Sequence, residues 1–279
     1  MRCLALLLAL ATPIFASAQK TEADIKARLV DQPLYLRGQW DADKLAFDEG
    51  GQLQGRAGLV SFTLSGIQVE SVKLNSKELD LEGQRVGLEF TKDVSTRVPL
   101  KLAGRFGGSS PEKVTIKIKA PADGDFTSAL NAIFTDTVAG LQPPLPECWQ
   151  QYARKHLLPM HQAALEGGPS QGDAHAPQAP DGAKIRKVGG GVTAPHVVKQ
   201  EEPEFDPAAR ALKYSGLVLV SLIVGTDGVP THVQVVRPAG VGLDERAVAA
   251  VSRYTFDPAM EGGRPVPVML NVEVNFQIS

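Results

Sequence analysis

Histidine is the side chain that most often ligates a metal or moves a proton near neutral pH, and this chain has five. No two of them stand at the i, i+4 separation of the H-E-x-x-H zinc motif, and none lies near a C-x-x-C pair. The histidines are His156, His161, His175, His196 and His232. Their spacing therefore predicts no metal site, and we expect neither a cofactor nor a catalytic residue.

Two other clusters have explanations that do not involve catalysis. Gly189–Gly191 precedes no strand–helix phosphate motif and is typical of a hinge. Glu201, Glu202 and Glu204 precede a predicted helix, whose N-terminal dipole favours nearby negative charge. The formal net charge of −2 and the pI of about 6.2 argue against nucleic acid as the main partner. We predict that the chain is not an enzyme.

Residues 1–18 have the features of a secretory signal peptide. Arg2 supplies a positive start, an apolar stretch runs from Leu4 to Phe15, and Ala16-Ser17-Ala18 is an A-x-A cleavage signature. Cleavage there starts the exported chain at Gln19, in the periplasm. The alternative is an uncleaved anchor in the inner membrane, but the apolar stretch is short for a membrane span, which favours cleavage.

Only Cys148 remains after cleavage, so the exported chain has no internal disulfide. This thiol is best explained as a small apolar residue in the interior. Without a disulfide, each domain is expected to depend on its own hydrophobic core.

Residues 19–141 are predicted to form a β-rich domain, because short apolar segments alternate with Gly, Asn, Asp and Pro. An apolar stripe from Phe126 to Val138 predicts a helix that closes this domain, with Asp125 as its N-cap and Gly140 beyond its end. Residues 142–187 are predicted to be a Pro/Gly-rich linker with a short helix. The predicted strands include Leu59–Leu64, Ile67–Leu74, Leu79–Leu81, Val86–Phe90, Val98–Leu102 and Val114–Ile118.

Residues 188–279 show the order helix–strand–strand–helix–strand. Asp206 can cap a helix that has Pro207 at its first position. Two β-branched strands flank the Asp227-Gly228 turn, and a second helix follows at Leu243–Tyr254. We predict an α+β fold, in which a C-terminal domain with a three-stranded antiparallel sheet packed by two helices follows the β-rich domain.

The last stretch of the chain alternates apolar and polar residues, which predicts a long strand with one dry face. Because one helix leads from the second strand to the third, an antiparallel sheet has the order second–first–third, and the last strand is an edge. An edge strand can accept an extended peptide, or it can simply be tolerated behind a polar face. The candidate peptide-binding residues are Val268, Met269, Leu270, Asn271, Val272, Glu273, Val274, Asn275 and Phe276.

Several segments of this region resemble motifs of the TonB C-terminal domain family. Pro203–Arg210 (PEFDPAAR) is similar to P-x-[YF]-P-x-x-A-R, although Asp206 replaces the second proline. Gly242–Ala247 (GLDERA) is similar to G-x-L-D-x-A-A. Tyr254–Ala259 (YTFDPA) is similar to W-x-F-x-P-A, with tyrosine in place of tryptophan. The resemblance covers roughly a third of the chain and does not extend to residues 19–141.

The resemblance implies a periplasmic protein that binds the TonB box, an extended peptide of outer-membrane TonB-dependent transporters, as a strand added along Val268–Phe276. It also implies energy transduction for transport. Family transducers have an N-terminal membrane helix that engages an ExbB–ExbD motor, followed by a long Pro-rich spacer. Here the N-terminal segment looks cleavable, and a coil such as Gly167–Ala183 spans only ~20–25 Å, so coupling to a motor is disfavoured.

A second hypothesis has no role in transport. In it, the chain is an exported envelope scaffold whose TonB-like domain packs on its own β-domain or self-associates through the edge strand as a homodimer.

Overall fold

A computed structural model describes residues 18–92, 94–103, 108–158 and 183–278. The predicted signal peptide, apart from Ala18, lies outside the described residues, as does nearly all of the predicted coil Gly167–Ala183. Helices and strands both occur throughout the described parts, which confirms the predicted α+β class.

The N-terminal region contains two helices, α1 (Glu22–Leu29) and α2 (Thr127–Ile133), and ten strands. The strands are β1 (Leu34–Leu36), β2 (Lys44–Phe47), β3 (Leu53–Gln54), β4 (Gly66–Leu74), β5 (Glu78–Thr91), β6 (Val94–Pro99), β7 (Lys101–Ala103), β8 (Ser109–Pro111), β9 (Lys113–Lys119) and β10 (Phe134–Thr135). An eight-stranded sheet has the order β10-β1-β4-β5-β9-β2-β3, with β6 also beside β5. Both helices share a buried core with this sheet.

Three details of this region differ from the predictions. The predicted strand Leu59–Leu64 is an isolated bridge at Leu59 followed by a 3-10 turn that Ser61 caps. Leu79–Leu81 and Val86–Phe90 belong to one continuous strand, β5. The helix predicted as far as Val138 ends at Ile133, because Phe134 and Thr135 become a strand that pairs with β1.

The C-terminal region follows α3 (Glu147–His156) and contains the second sheet. Its elements are β11 (His196–Lys199), α4 (Pro207–Leu212), β12 (Gly216–Val224), β13 (Pro230–Arg237), α5 (Leu243–Val251), β14 (Thr255–Asp257), β15 (Ala259–Glu261), β16 (Arg264–Val266) and β17 (Val268–Phe276). β12, β13 and β17 form an antiparallel sheet in the order β13-β12-β17, which confirms the predicted strand order. The predicted cap of α4 is also confirmed, because Asp206 Oδ1 accepts the Ala208 N–H at 2.9 Å.

The N-terminal and C-terminal regions share hydrophobic cores. Leu64 and Leu100 from the β-rich region pack into the core beneath β12. Trp149 of α3 is fully buried beside Phe62 and Phe90, in a cluster that also includes Val235 of β13. The expectation that each domain depends on its own core holds only in part: one buried cluster lies entirely in the β-rich region, whereas the other two combine residues of both regions. The shared clusters add buried apolar area to that of each separate region.

Backbone hydrogen bonds join the two regions beside Gly240. Phe90 N–H donates to Ala239 O and Val241 N–H donates to Leu88 O, both at 2.9 Å. Gly240 has a φ of +94°, and a Cβ built there would lie 2.0 Å from Leu88 O. The close approach of two chain segments therefore requires glycine at this position.

We expect Gly240→Ala to lower the free energy of unfolding by at least ~2 kcal/mol, because the methyl group adds a clash to the strain of a positive φ. Gly262→Ala is the matched control, since Gly262 also has a positive φ (+58°) but a Cβ added there would meet no other part of the protein within 4 Å. Urea unfolding of the two variants measures the difference. Equal losses for both would show that the contact with Leu88 contributes nothing.

Candidate peptide-binding edge

β17 is the candidate site, and its backbone groups alternate between two directions. It pairs with β12 from Val268↔Val224 to Phe276↔Gly216 without a register shift. The N–H of Gly225, which follows the last residue of β12, donates to Val229 O on the β13 side at 3.0 Å. Successive residues of a strand point their N–H and C=O groups to opposite sides, so those of Val224 point towards β17. Val268 and every second residue after it therefore point their N–H and C=O groups inward, at β12.

The intervening residues point their backbone groups outward, away from the sheet. Pro267 O accepts the Arg186 N–H from the outer side at 2.8 Å, and the N–H of Ile278 turns inward to Ser215 Oγ at 3.2 Å. Both contacts agree with the alternation derived from Gly225. The outward residues of β17 are Met269, Asn271, Glu273 and Asn275.

Most of the outer edge of β17 is open within the described structure. Arg186 makes a parallel bridge to Val268 at the start of the strand and an ion pair with Glu261 at 3.1 Å. Beyond that bridge, no residue of the described ranges pairs with the outer side of Asn271, Glu273 or Asn275. The opposite edge strand, β13, is flanked by α3. Within the described ranges, the edge along β17 is therefore the candidate place for a guest strand to join the sheet.

The side chains of β17 follow the predicted alternation. Val268, Val274 and Phe276 are buried in the core, whereas the four outward residues are exposed. Leu270 and Val272, at the middle of the core face, are only half-buried. Apolar surface therefore remains open beside the part of the edge that has no partner.

Two adjacent carboxylates at the start of α5 accept hydrogen bonds from neighbouring segments of the chain. Asp244 is fully buried and accepts the N–H groups of Ala239 and Gly240 at 2.7 and 2.8 Å. Glu245 Oε1 accepts Ser61 Oγ–H at 2.8 Å and the indole N–H of Trp149 at 2.7 Å. Glu245 thus connects α5 both to the β-rich region and to α3, and burial raises its pKa.

The pKa of Asp244 makes stability depend on pH. Burial, followed by the neighbouring Glu245, raises this pKa to about 8, against the opposite effect of the two N–H donors. Between the unfolded pKa of 3.8 and this value, the folded state binds more protons than the unfolded state. The stabilisation is therefore complete below about pH 4 and is lost as the pH rises towards 8.

We expect the Asp244 contribution to the free energy of unfolding to fall by up to ~1.4 kcal/mol per pH unit over this range. Asp244→Asn cannot titrate, so its stability relative to the wild type should rise between pH 4 and pH 8. Urea unfolding of both proteins at several pH values measures this. A constant difference between them would contradict the raised pKa.

The described residues contain neither a metal-binding cluster nor an activated thiol. In the ranges that the structure covers, no group of three or more His, Cys, Asp and Glu is placed to hold a metal ion. Burial, together with the nearby Glu245, raises the pKa of the Cys148 thiol to about 12, so it is protonated and unreactive at neutral pH. No helix among these residues is long and apolar enough to cross a membrane.

Comparison with known proteins agrees with the resemblance seen in the motifs. Residues 201–278 match the family described as Gram-negative bacterial TonB protein C-terminal. The C-terminal domain is TonB-like. The matched segment includes the sheet β13-β12-β17 and α5, and therefore includes the candidate edge. The N-terminal region lies outside this match.

Two TonB proteins of Pseudomonas aeruginosa show how far the similarity extends. Protein tonB2 is 32% identical over 78 residues, which are 28% of this chain and 29% of tonB2. The chain therefore spans less than a third of this curated relative. The solution NMR structure of the P. aeruginosa TonB C-terminal domain is 20% identical, with a TM-score of 0.27, and the match covers 34% of this chain and 95% of that one.

Proposed function

We propose that this TonB-like protein works in the periplasm and binds a TonB-box-like peptide of an outer-membrane TonB-dependent transporter by strand addition to β17. One observation carries the proposal: the outward backbone groups of Asn271, Glu273 and Asn275 have no partner within the described structure. The edge belongs to a domain that matches the TonB C-terminal family. Main-chain hydrogen bonds supply affinity in this mode of recognition.

A role in energy transduction is the second part of the proposal. A guest on β17 would join a ladder that continues through nine paired positions into β12. A pull along the length of the guest would load its hydrogen bonds to β17 together, so the attachment can resist force. Direct coupling to an ExbB–ExbD-type motor is not part of this proposal, because the predicted cleavage after Ala18 would separate the chain from the inner membrane.

The scaffold function is a second candidate, and the shared core favours it. Leu64, Leu100 and Phe62 dock the β-rich region on the TonB-like domain, and Glu245 bonds to both Ser61 and Trp149. This docking leaves the outer edge of β17 open, so packing on the β-rich region does not by itself prevent peptide binding. The homodimer version differs, because two β17 edges would then occupy each other.

An NMR titration separates these functions. The ¹⁵N-labelled full chain is titrated with a synthetic TonB-box peptide of an outer-membrane transporter, and its oligomeric state is measured by light scattering. We expect a monomer whose largest amide shifts fall on Met269–Phe276. A dimer that shows no shift at millimolar peptide would support the scaffold function instead.

A further inference from the structure

We infer that the guest strand on β17 carries a basic residue opposite Glu273, between two β-branched apolar residues. This inference rests on the proposed function and names the chemistry of the peptide that the edge selects. It applies to a parallel or an antiparallel guest, because the residue directly opposite Glu273 lies on the same sheet face in both directions.

The length of the open edge restricts the guest to a short segment. Arg186 occupies the start of the edge at Val268, and β17 ends at Phe276. Outward backbone groups then remain at Asn271, Glu273 and Asn275. Residues two apart in a strand are ~6.6 Å apart, so a guest of about seven residues covers all three positions. Glu273 faces the centre of such a guest.

Glu273 supplies the only charge on β17. On the solvent face, Leu219 of β12 pairs with Arg237 on one side and with Glu273 on the other. Arg237 reaches across Leu219 to Glu273 Oε1 at 3.3 Å, while the Glu273 side chain stays 62% exposed. Arg237 therefore approaches from the β13 side, and a guest approaches from the opposite side, where the second carboxylate oxygen can accept another donor.

The charges on the solvent face of the sheet then favour a positive charge on the guest residue opposite Glu273. A basic guest residue would place a positive charge beside Glu273 and so continue the alternation of charges from Arg237 to Glu273. An acidic residue would place a second negative charge beside Glu273. Directly opposed side chains on a sheet attract or repel by ~0.2–1 kcal/mol per pair. The neighbouring outward side chains, Asn271 and Asn275, are neutral and do not offset this preference.

The other face of the guest meets apolar surface. Leu270 and Val272 are half-buried at the edge, while the flanking Val268 and Val274 are buried. Guest residues next to the basic residue point to this face and extend the core beyond Leu270 and Val272. β-Branched apolar side chains suit such a half-buried strand position.

The test uses two capped seven-residue peptides that alternate valine with threonine, one with a central lysine and the other with a central glutamate. Fluorescence anisotropy measures their affinity for the full chain at low salt, with the wild type compared with Glu273→Lys and Glu273→Gln. We expect the lysine peptide to bind the wild type about three- to tenfold more tightly than the glutamate peptide. The order should reverse for Glu273→Lys and largely disappear for Glu273→Gln.

The outcomes distinguish this inference from the proposed function. Binding of both peptides with equal affinity, or a preference that Glu273→Lys leaves unchanged, would overturn the basic-residue inference while strand addition stands. If neither these peptides nor a TonB-box peptide shifts the amides of Asn271–Asn275, the proposed function fails and the inference fails with it. Circular dichroism confirms that the exposed substitutions leave the fold intact.

Discussion

Asn271→Pro is expected to lower the affinity for a bound peptide by at least about tenfold with little loss of stability. The N–H of Asn271 points outward, so proline removes a donor that only a guest would use, and its ring occupies the space where the guest approaches. Val272→Pro should behave in the opposite way. The N–H of Val272 points at β12, so its loss breaks a bond within the sheet and costs ~3 kcal/mol or more.

Asn271→Ala is the matched control, because it removes the side chain and keeps the N–H. We expect its peptide affinity to stay within about twofold of the wild type, since strand addition uses the main chain. Urea unfolding gives the stability of the three variants, and titration of a labelled TonB-box peptide gives their affinity. An unstable Asn271→Pro beside a stable Val272→Pro would show that the backbone alternation of β17 is the reverse of the one described.

Trp149→Ala is expected to cost about 3–5 kcal/mol of the free energy of unfolding. Trp149 is fully buried, and its ring meets Phe62 edge-to-face with 4.7 Å between centroids. Its indole N–H also donates to Glu245 Oε1 at 2.7 Å. Truncation therefore leaves a cavity in the cluster that joins the two regions and removes one of the two donors to Glu245 Oε1.

Trp149→Phe separates the packing of the ring from its hydrogen bond. It keeps an aromatic ring in the cluster and loses the N–H, so we expect a smaller loss of ~1–3 kcal/mol. Because the two regions share cores, urea unfolding followed by fluorescence and by circular dichroism should give coincident transitions in the wild type. Two separate transitions, with only one of them moved by Trp149→Ala, would mean that the regions fold independently.

The sequence alone predicted the edge of the second sheet because the decisive signals are local. The alternation from Val268 to Phe276, the Asp227-Gly228 turn and the helix between β13 and β17 together leave one antiparallel order. The helix predicted from the apolar stripe that begins at Phe126 was too long, because Phe134 is apolar and fits a helix or a strand equally well. Phe134 belongs to a strand because it pairs with Leu36, which is remote in the sequence.

The contacts between the two regions could not be predicted in the same way. Leu64 and Leu100 are apolar residues of the β-rich region, and no periodicity distinguishes burial in their own core from burial in a neighbouring one. Glu245 lies in a recognised motif, yet its bonds to Ser61 and Trp149 depend on how distant segments meet. Arg186 belongs to a region predicted as linker, and nothing in that composition indicates a bridge to β17.

Amide hydrogen exchange on β17 tests the central claim most directly. In the free protein, the outward amides of Asn271, Glu273 and Asn275 should exchange fast, while the inward amides of Leu270, Val272 and Val274 exchange slowly. Saturation with a TonB-box peptide should slow the outward amides and leave the inward ones unchanged. Slow exchange of the outward amides in the free protein, or no change in them at saturating peptide, would contradict an edge that is open to a guest strand.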